Sequence, residues 1–300
     1  VMIWQIYELV HEYMKFDTKT NVRIVVPPSL PFPQVTICNL NSVQTSRVNT
    51  SGLQSNPVNE EELISVSQPL EEFIQSTTYN FGDDLNVTEV WTPVVTNGGL
   101  CFQFDTSERI VRPGLEGGLL VSLYVNSADY YNETFNGGGA VVGVGVQIFV
   151  AQKDTTEVQQ VPFDLAQPGT LLYLGMKRAV IKREKQEPWT RCFGEAPQFT
   201  QPKCREGCIE TLVRETCNCR DYGDTVDTSL PFCSDYAKCY QQVYDADNKD
   251  CEDDCSDPPC YEELYTTRSS SLELLSPGSN AQDNADSVAI LINYEAIRQE

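Results

Sequence analysis

Ten of the 12 cysteines in this chain crowd between Cys192 and Cys260: Cys192, Cys204, Cys208, Cys217, Cys219, Cys233, Cys239, Cys251, Cys255 and Cys260. Such crowding means disulfides or zinc. Zinc sites show paired C-x2-C knuckles or mixed Cys/His sets. Here the spacings are C-x3-C, C-x-C and C-x5-C, and the single histidine, His11, lies far from the block. With Cys38 and Cys101 the count is even, which reads as disulfides in an oxidising compartment. Three sequons agree: Asn49-Thr50-Ser51, Asn86-Val87-Thr88 and Asn132-Glu133-Thr134, none with proline in the middle. Each is a glycosylation acceptor on an exterior surface. A lumenal or extracellular chain is expected.

The block contains two C-x3-C pairs, Cys204/Cys208 and Cys251/Cys255. On a helix, positions four apart share a face. Two such helices running antiparallel would match their sulfurs reciprocally, Cys204 with Cys255 and Cys208 with Cys251. Nesting inward then pairs Cys217 with Cys239 and Cys219 with Cys233, and nesting outward pairs Cys192 with Cys260. Ten cysteines permit about a thousand connectivities, so spacing alone leaves others open. The nested one needs only two helices folded back on each other. Each bridge would contribute about 2–4 kcal/mol by restricting the unfolded chain. Five together predict a rod that moves as one body.

Composition narrows the function. The 300 residues carry a net charge of −22, which excludes nucleic acid as a partner. Such charge serves solubility and would also concentrate cations near the surface. A hydrophobic content of 40% supports a core. One histidine, no G-x-S-x-G elbow and no metal-ligand cluster argue against an enzyme. No cofactor is expected.

The chain begins at Val1, the mark of a fragment or a mature form. Residues Val1 to Met14 are mostly apolar but too few to cross a bilayer, which takes about 20. They read either as an amphipathic soluble helix or as the outer end of a membrane helix, with Trp4, Tyr7 and Tyr13 suited to an interface. The run Pro27-Pro28-Ser29-Leu30-Pro31-Phe32-Pro33 stops any helix. Strands are predicted at Gln34–Cys38, Leu100–Phe104, Leu119–Val125, Val141–Val150, Leu171–Lys185 and Ser287–Tyr294. A helix is predicted near Glu60–Ile74, with Asn59 as N-cap and Glu62 three residues on. The run Gly137-Gly138-Gly139 with Gly143 and Gly145 fits no phosphate-loop spacing and reads as a hairpin beside closely approached backbone. Lys177, Arg178, Lys182, Arg183 and Lys185 form a basic patch, read as a solvated strand face or as internal ion-pair partners. Thr266–Asp286 reads as a polar connection.

Several motifs together resemble the degenerin/epithelial sodium channel/acid-sensing ion channel family. They are Phe32-Pro33-Gln34-Val35-Thr36-Ile37-Cys38-Asn39, Gly99-Leu100-Cys101-Phe102-Gln103-Phe104, Pro188-Trp189-Thr190-Arg191-Cys192, the ordered cysteines that follow, and Asn293-Tyr294-Glu295. The resemblance implies an α+β, β-rich ectodomain shaped like a clenched hand. Its divisions would be 1–14, the outer end of a first transmembrane helix; 15–41, wrist and first palm strand; 42–98, a short or incomplete finger; 99–190, β-ball and palm strands; 191–260, the disulfide-rich thumb; 261–285, knuckle or linker; and 286–300, the last palm strand, leading to a second transmembrane helix. It also implies a Cys38–Cys101 bridge.

The same resemblance implies one subunit of a trimeric, amiloride-sensitive sodium channel of the plasma membrane. The partners would be two further subunits, identical or not, membrane lipid, Na⁺ as permeant ion and an extracellular peptide ligand. Phe16 and Trp189 match an aromatic contact that couples ectodomain to pore. Ile292-Asn293 match a short linker that flips in desensitisation, and Glu295 a palm carboxylate. The chain departs from the acid-sensing pattern in lacking its wrist histidines: Asp17 and Thr18 stand there. The Cys38–Cys101 interval is short and the usual finger disulfide is absent. The missing wrist histidines slightly favour a peptide trigger over protons or mechanical force. The alternative is a secreted, disulfide-rich binding protein without a pore.

Overall fold

The computed structural model describes residues 2–14, 21–41, 43–51, 59–82, 84–96, 99–131, 143–153, 162–184, 191–194, 200–220, 224, 226–233, 238–239, 242–243, 251–274 and 285–299. In chain order the elements are α1 (Met2–Tyr13), β1 (Leu30–Pro31), β2 (Gln34–Asn39), α2 (Thr45–Ser51), α3 (Glu60–Val66), α4 (Leu70–Phe73), β3 (Ile74–Tyr79), α5 (Val87–Val90), β4 (Trp91–Thr96), β5 (Gly99–Phe104), β6 (Arg109–Ile110), β7 (Leu119–Tyr124), β8 (Val146–Ala151), β9 (Phe163–Ala166), β10 (Thr170–Lys182), α6 (Gln201–Cys217), β11 (Tyr261–Glu273) and β12 (Ser287–Gln299).

Two five-stranded sheets carry the fold, in the orders β11-β10-β12-β7-β3 and β4-β5-β2-β8-β9, with a two-stranded β1-β6 ribbon beside them. All pairings are antiparallel except β10 with β12. The inward faces of the two sheets share one apolar core, with Val35, Ile37, Phe102 and Ile148 from one and Val121, Leu174, Ile290 and Ile292 from the other. Every residue of β2 is buried, so it is covered on both faces, as a central strand must be. Among the described residues three smaller clusters lie outside this core, one of them Cys38, Cys101 and Phe149. A second joins Val43 and Val48 to Leu63 and Val66 on α2 and α3. The third lies under α6 and includes Ile209, Val213 and Val243 with cysteine sulfurs.

The fold is the β-rich α+β class expected, and its elements follow from local chemistry. Asn59 caps α3 by accepting from the Glu62 amide at 2.9 Å. The single helix expected over Glu60–Ile74 is instead two, because Pro69 has no amide to continue α3 and Ile74 already starts β3. Gly145 sits where a Cβ would lie 2.6 Å from the Ala166 carbonyl, the close backbone approach expected of that glycine; Gly137–Gly139 lie outside the described residues.

Residues 42–98, read as a short or incomplete finger, supply β3 to one sheet and β4 to the other. The stretch Thr266–Asp286, read as a polar connection, begins inside β11, which pairs with β10 over its full length. β11 is an edge strand with mostly exposed side chains, so its Ser/Thr-rich stretch needs no apolar alternation and reads as a loop.

Candidate functional site

All 12 cysteines are bridged, as Cys38–Cys101, Cys192–Cys260, Cys204–Cys255, Cys208–Cys251, Cys217–Cys239 and Cys219–Cys233. Cys38 and Cys101 face each other across the β2/β5 pair, 4.4 Å apart at Cα. Cys219, Cys233 and Cys239 have sulfurs close enough to hold a metal, but all three are spent in disulfides. α6 begins with Thr200, whose hydroxyl accepts from the Lys203 amide at 3.2 Å, and ends at Asn218 in the left-handed region. It puts Cys204 and Cys208 on one face. Their partners, Cys251 and Cys255, lie at the two ends of a helical turn, residues 251–254, and residues 244–250 before it lie outside the described residues.

The disulfide module stands on two neighbouring strands. β10 ends at Lys182 just before it, and β11 starts at Tyr261 just after Cys260. The Arg183 amide donates to the Cys260 carbonyl at 2.8 Å, and the Arg183 guanidinium binds the Pro259 carbonyl and Glu262. At the far end, Arg220 is 4% exposed, lies over the Phe232 ring at 4.3 Å, and donates to the Leu230 and Asp224 carbonyls and to Glu60. Buried Asp224 also pairs with Arg214.

Three members of the basic patch, Lys177, Arg178 and Arg183, are ion-pair partners. Arg178 grips Glu263 with two nitrogens, at 2.6 and 3.0 Å. Tyr261 and Tyr265 donate their hydroxyls to the same carboxylate at 2.6 and 3.0 Å. Burial alone would raise the Glu263 pKa; the hydrogen bonds from Arg178 and Tyr261 and the Arg178 charge outweigh it and hold the carboxyl below its ordinary value. Burial pushes the phenols of Tyr265 and Tyr294 well above theirs. Lys177 pairs with Glu295 at 3.4 Å, and Lys182 lies 5.9 Å from the Tyr261 ring centre. Lys185 lies outside the described residues.

β12 carries three of the expected gating positions. Ile292 and Asn293, expected in a linker, lie inside the continuous strand, opposite Leu174 and Gly175 of β10, and both are fully buried. The reason is backbone pairing on both sides, since β7 also pairs with β12 up to Ile292. Gly118 permits that contact. It has φ +147°, and a Cβ there would lie 2.2 Å from the Ile292 carbonyl. The Asn293 Oδ1 accepts from the Tyr173 hydroxyl at 3.0 Å, while its Nδ2 is buried without a partner in this structure. Glu295 is partly exposed, with Lys177 and Arg268 as its ion-pair partners. The β10/β12 register breaks between Met176 and Arg178, leaving the end of β12 less tightly laddered.

Phe16 and Trp189 lie outside the described residues, as do Asn132, Asp17 and Thr18. Asn49 is exposed on α2 and Asn86 is exposed as the N-cap of α5. Sequence reading missed Glu263, Tyr265 and Arg220. The spacing Tyr261-x-Glu263-x-Tyr265, which puts all three on one strand face, was the available signal. Arg220 had none beyond its place beside Cys219.

A family model described as amiloride-sensitive sodium channel matches residues 1–64 and 53–298. The chain is 23% identical over 320 residues to acid-sensing ion channel 1A of Danio rerio, covering 89% of this chain and 63% of that protein. It is 25% identical over 284 residues to acid-sensing ion channel 2 of Rattus norvegicus, covering 76% and 54%. It is 23% identical over 294 residues to the bile acid-sensitive ion channel of Mus musculus, covering 82% and 57%. The chain thus spans less than two thirds of the length of each of these relatives.

Proposed function

The chain belongs to the amiloride-sensitive sodium channel family, and on that premise we propose that it is the extracellular domain of one subunit of a trimeric, sodium-selective channel of the plasma membrane. The family match over nearly the whole chain carries this reading. The family is one of channels rather than enzymes. No described helix is long and apolar enough to cross a membrane. α1 has no buried residue, and its Ile3, Trp4, Ile6 and Leu9 are each more than half exposed. Lipid is the cover that fits this surface.

The trigger we infer is an extracellular peptide. Protons are the weaker reading for two reasons. The only histidine is His11. Glu295, expected as a palm carboxylate, has two cations, Lys177 and Arg268, as its ion-pair partners. The disulfide module, stiffened by five bridges and standing on β10 and β11, is the part suited to carry the signal inward. The exposed Asn49 and Asn86 would be glycosylated.

Full-length protein expressed in oocytes, with surface amount measured, tests this. The expected result is an amiloride-blocked Na⁺ current evoked by peptide and not by an acid step or bile acid. A current evoked by acid alone would overturn the peptide trigger. Surface-expressed protein with no current under any condition would overturn the channel.

A further inference from the structure

A cavity of about 450 Å³ opens to solvent between α2, α3, α4 and the loop after β7, and every residue that lines it is polar or charged. The helix period explains its α2 wall. Val48 packs inward on Leu63 and Val66, which leaves Ser46, Arg47 and Thr50 to line the cavity. Glu72 of α4 and Asn126 and Asp129 of the loop face them. The loop is already fixed in place. Asn126 turns the chain in the left-handed region, at φ 51°. The Ser127 amide donates to Asp286 at 3.1 Å, and the Thr45 hydroxyl donates to the Tyr130 carbonyl at 3.0 Å.

The charged groups of the wall are held in position without being used up. Arg47 donates Nε to Gln44 Oε1 at 2.7 Å and Nη2 to Glu72 at 2.8 Å, which sets the plane of its guanidinium. Among the described residues its Nη1 has no partner. Asp129 accepts from the Ser46 amide at 2.8 Å on one oxygen and from the Ser46 hydroxyl at 2.5 Å on the other. No cation pairs with it among the described residues. A carboxylate has about four lone-pair sites, so each oxygen keeps one for a ligand.

One cation and two carboxylates leave the wall with an excess negative charge. Such a wall favours a ligand with one positive group and neutral acceptors, and repels an anion. The amino terminus of a peptide has this form: an ammonium group for Asp129, followed at once by carbonyl oxygens for the free Nη1 of Arg47. A carboxyl terminus does not, since Glu72 and Asp129 would both oppose it.

We propose that this cavity binds the free amino terminus of a peptide, with Asp129 taking the ammonium group and Arg47 the first carbonyls. The proposal rests on the peptide-trigger reading for what the binding serves, and makes this cavity the place where the trigger docks.

Saturation-transfer NMR on purified full-length protein tests it. The probes are trialanine amide, its N-acetylated form, and N-acetyllysine amide, which carries its cation on a side chain. Trialanine amide is expected to bind, and acetylation to weaken it by about tenfold or more, the scale of one charge-assisted hydrogen bond. Asp129→Asn should weaken trialanine amide by a similar factor. Arg47→Gln should abolish the preference for trialanine amide over propylamine and leave propylamine bound no more weakly. Equal binding of the free and acetylated probes in the wild-type protein overturns the proposal. So does acetyllysine amide binding as tightly as trialanine amide, which would assign the cavity to a basic side chain, or no binding of trialanine amide at about 10 mM. The two readings fail separately. A peptide-evoked current in oocytes that Asp129→Asn leaves unchanged would overturn this cavity as the docking place and keep the peptide trigger. Probe binding as expected, with no peptide able to evoke current, would sink the trigger and uphold the cavity.

Discussion

Arg220 reaches Glu60 at 3.2 Å, fastening the disulfide module to the first turn of α3 across 160 positions of sequence. The two partners are unequal. The Arg220 side chain is buried, stacked on Phe232 and bonded to two carbonyls, while Glu60 is 39% exposed. Arg220→Ala removes the stacking and leaves the buried Asp224 carbonyl and the part-buried Leu230 carbonyl short of a donor, at a cost of about 2–4 kcal/mol. Glu60→Gln should cost less than about 1 kcal/mol, as for an exposed pair. Denaturant unfolding of the two variants compares them, and equal losses would contradict this asymmetry.

Glu263 sets a pH window. Its pKa is lowered in the folded protein, so its contribution to stability is present at neutral pH and lost as pH falls through that lowered value. Glu263→Gln strands Arg178 and should cost about 3 kcal/mol or more at neutral pH. The gap in melting temperature between wild type and variant should stay level from about pH 8 to about pH 5 and close only below about pH 4. A gap that already closes between pH 7 and pH 5 would show a carboxyl titrating higher than this geometry allows.

Two glycines give opposite signs on substitution. At Gly118 an added Cβ would meet the Ile292 carbonyl at 2.2 Å and the Asn293 Cβ at 2.9 Å, on a φ of +147°. Gly118→Ala should cost about 2–3 kcal/mol or more and loosen β7 from β12. Gly207 lies inside α6 with nothing within 4 Å of its added Cβ. Gly207→Ala should stabilise by about 0.5–1 kcal/mol. Urea midpoints of the two variants decide both.

The sequons differ in what they do for the fold. The Asn86 Oδ1 accepts from the Thr88 amide and hydroxyl at 3.3 and 3.0 Å, capping α5, while Asn49 is merely exposed. Each Asn→Gln change should remove one glycan from the protein expressed in cultured cells, seen as a mobility shift before glycosidase treatment. Asn86→Gln should also cost about 1 kcal/mol for the lost cap, and Asn49→Gln less than about 0.5 kcal/mol. Unchanged mobility for either variant would remove that site from the glycoprotein reading.

What could be read early depended on how local the signal was. The strand at Gln34–Asn39 announced itself through β-branched residues, and Asn59 with Glu62 marked the start of α3. The nested bridges were partly legible because two C-x3-C pairs can match reciprocally when folded back, though spacing alone left other connectivities open. β11 was illegible because its partner, β10, lies some eighty residues earlier and supplies the ladder that its polar side chains do not advertise. The Arg178–Glu263 pair was half visible: the basic patch suggested ion pairs but named no acid.

The sequence by itself determined the cysteine-rich block and the family, because cysteine spacing and short motifs are read along the chain. Only the tertiary structure decided which charge meets which, and that Tyr294 ends on Pro31. Those contacts depend on strand order and register, and register is set by the burial of whole faces at once, which no local stretch encodes.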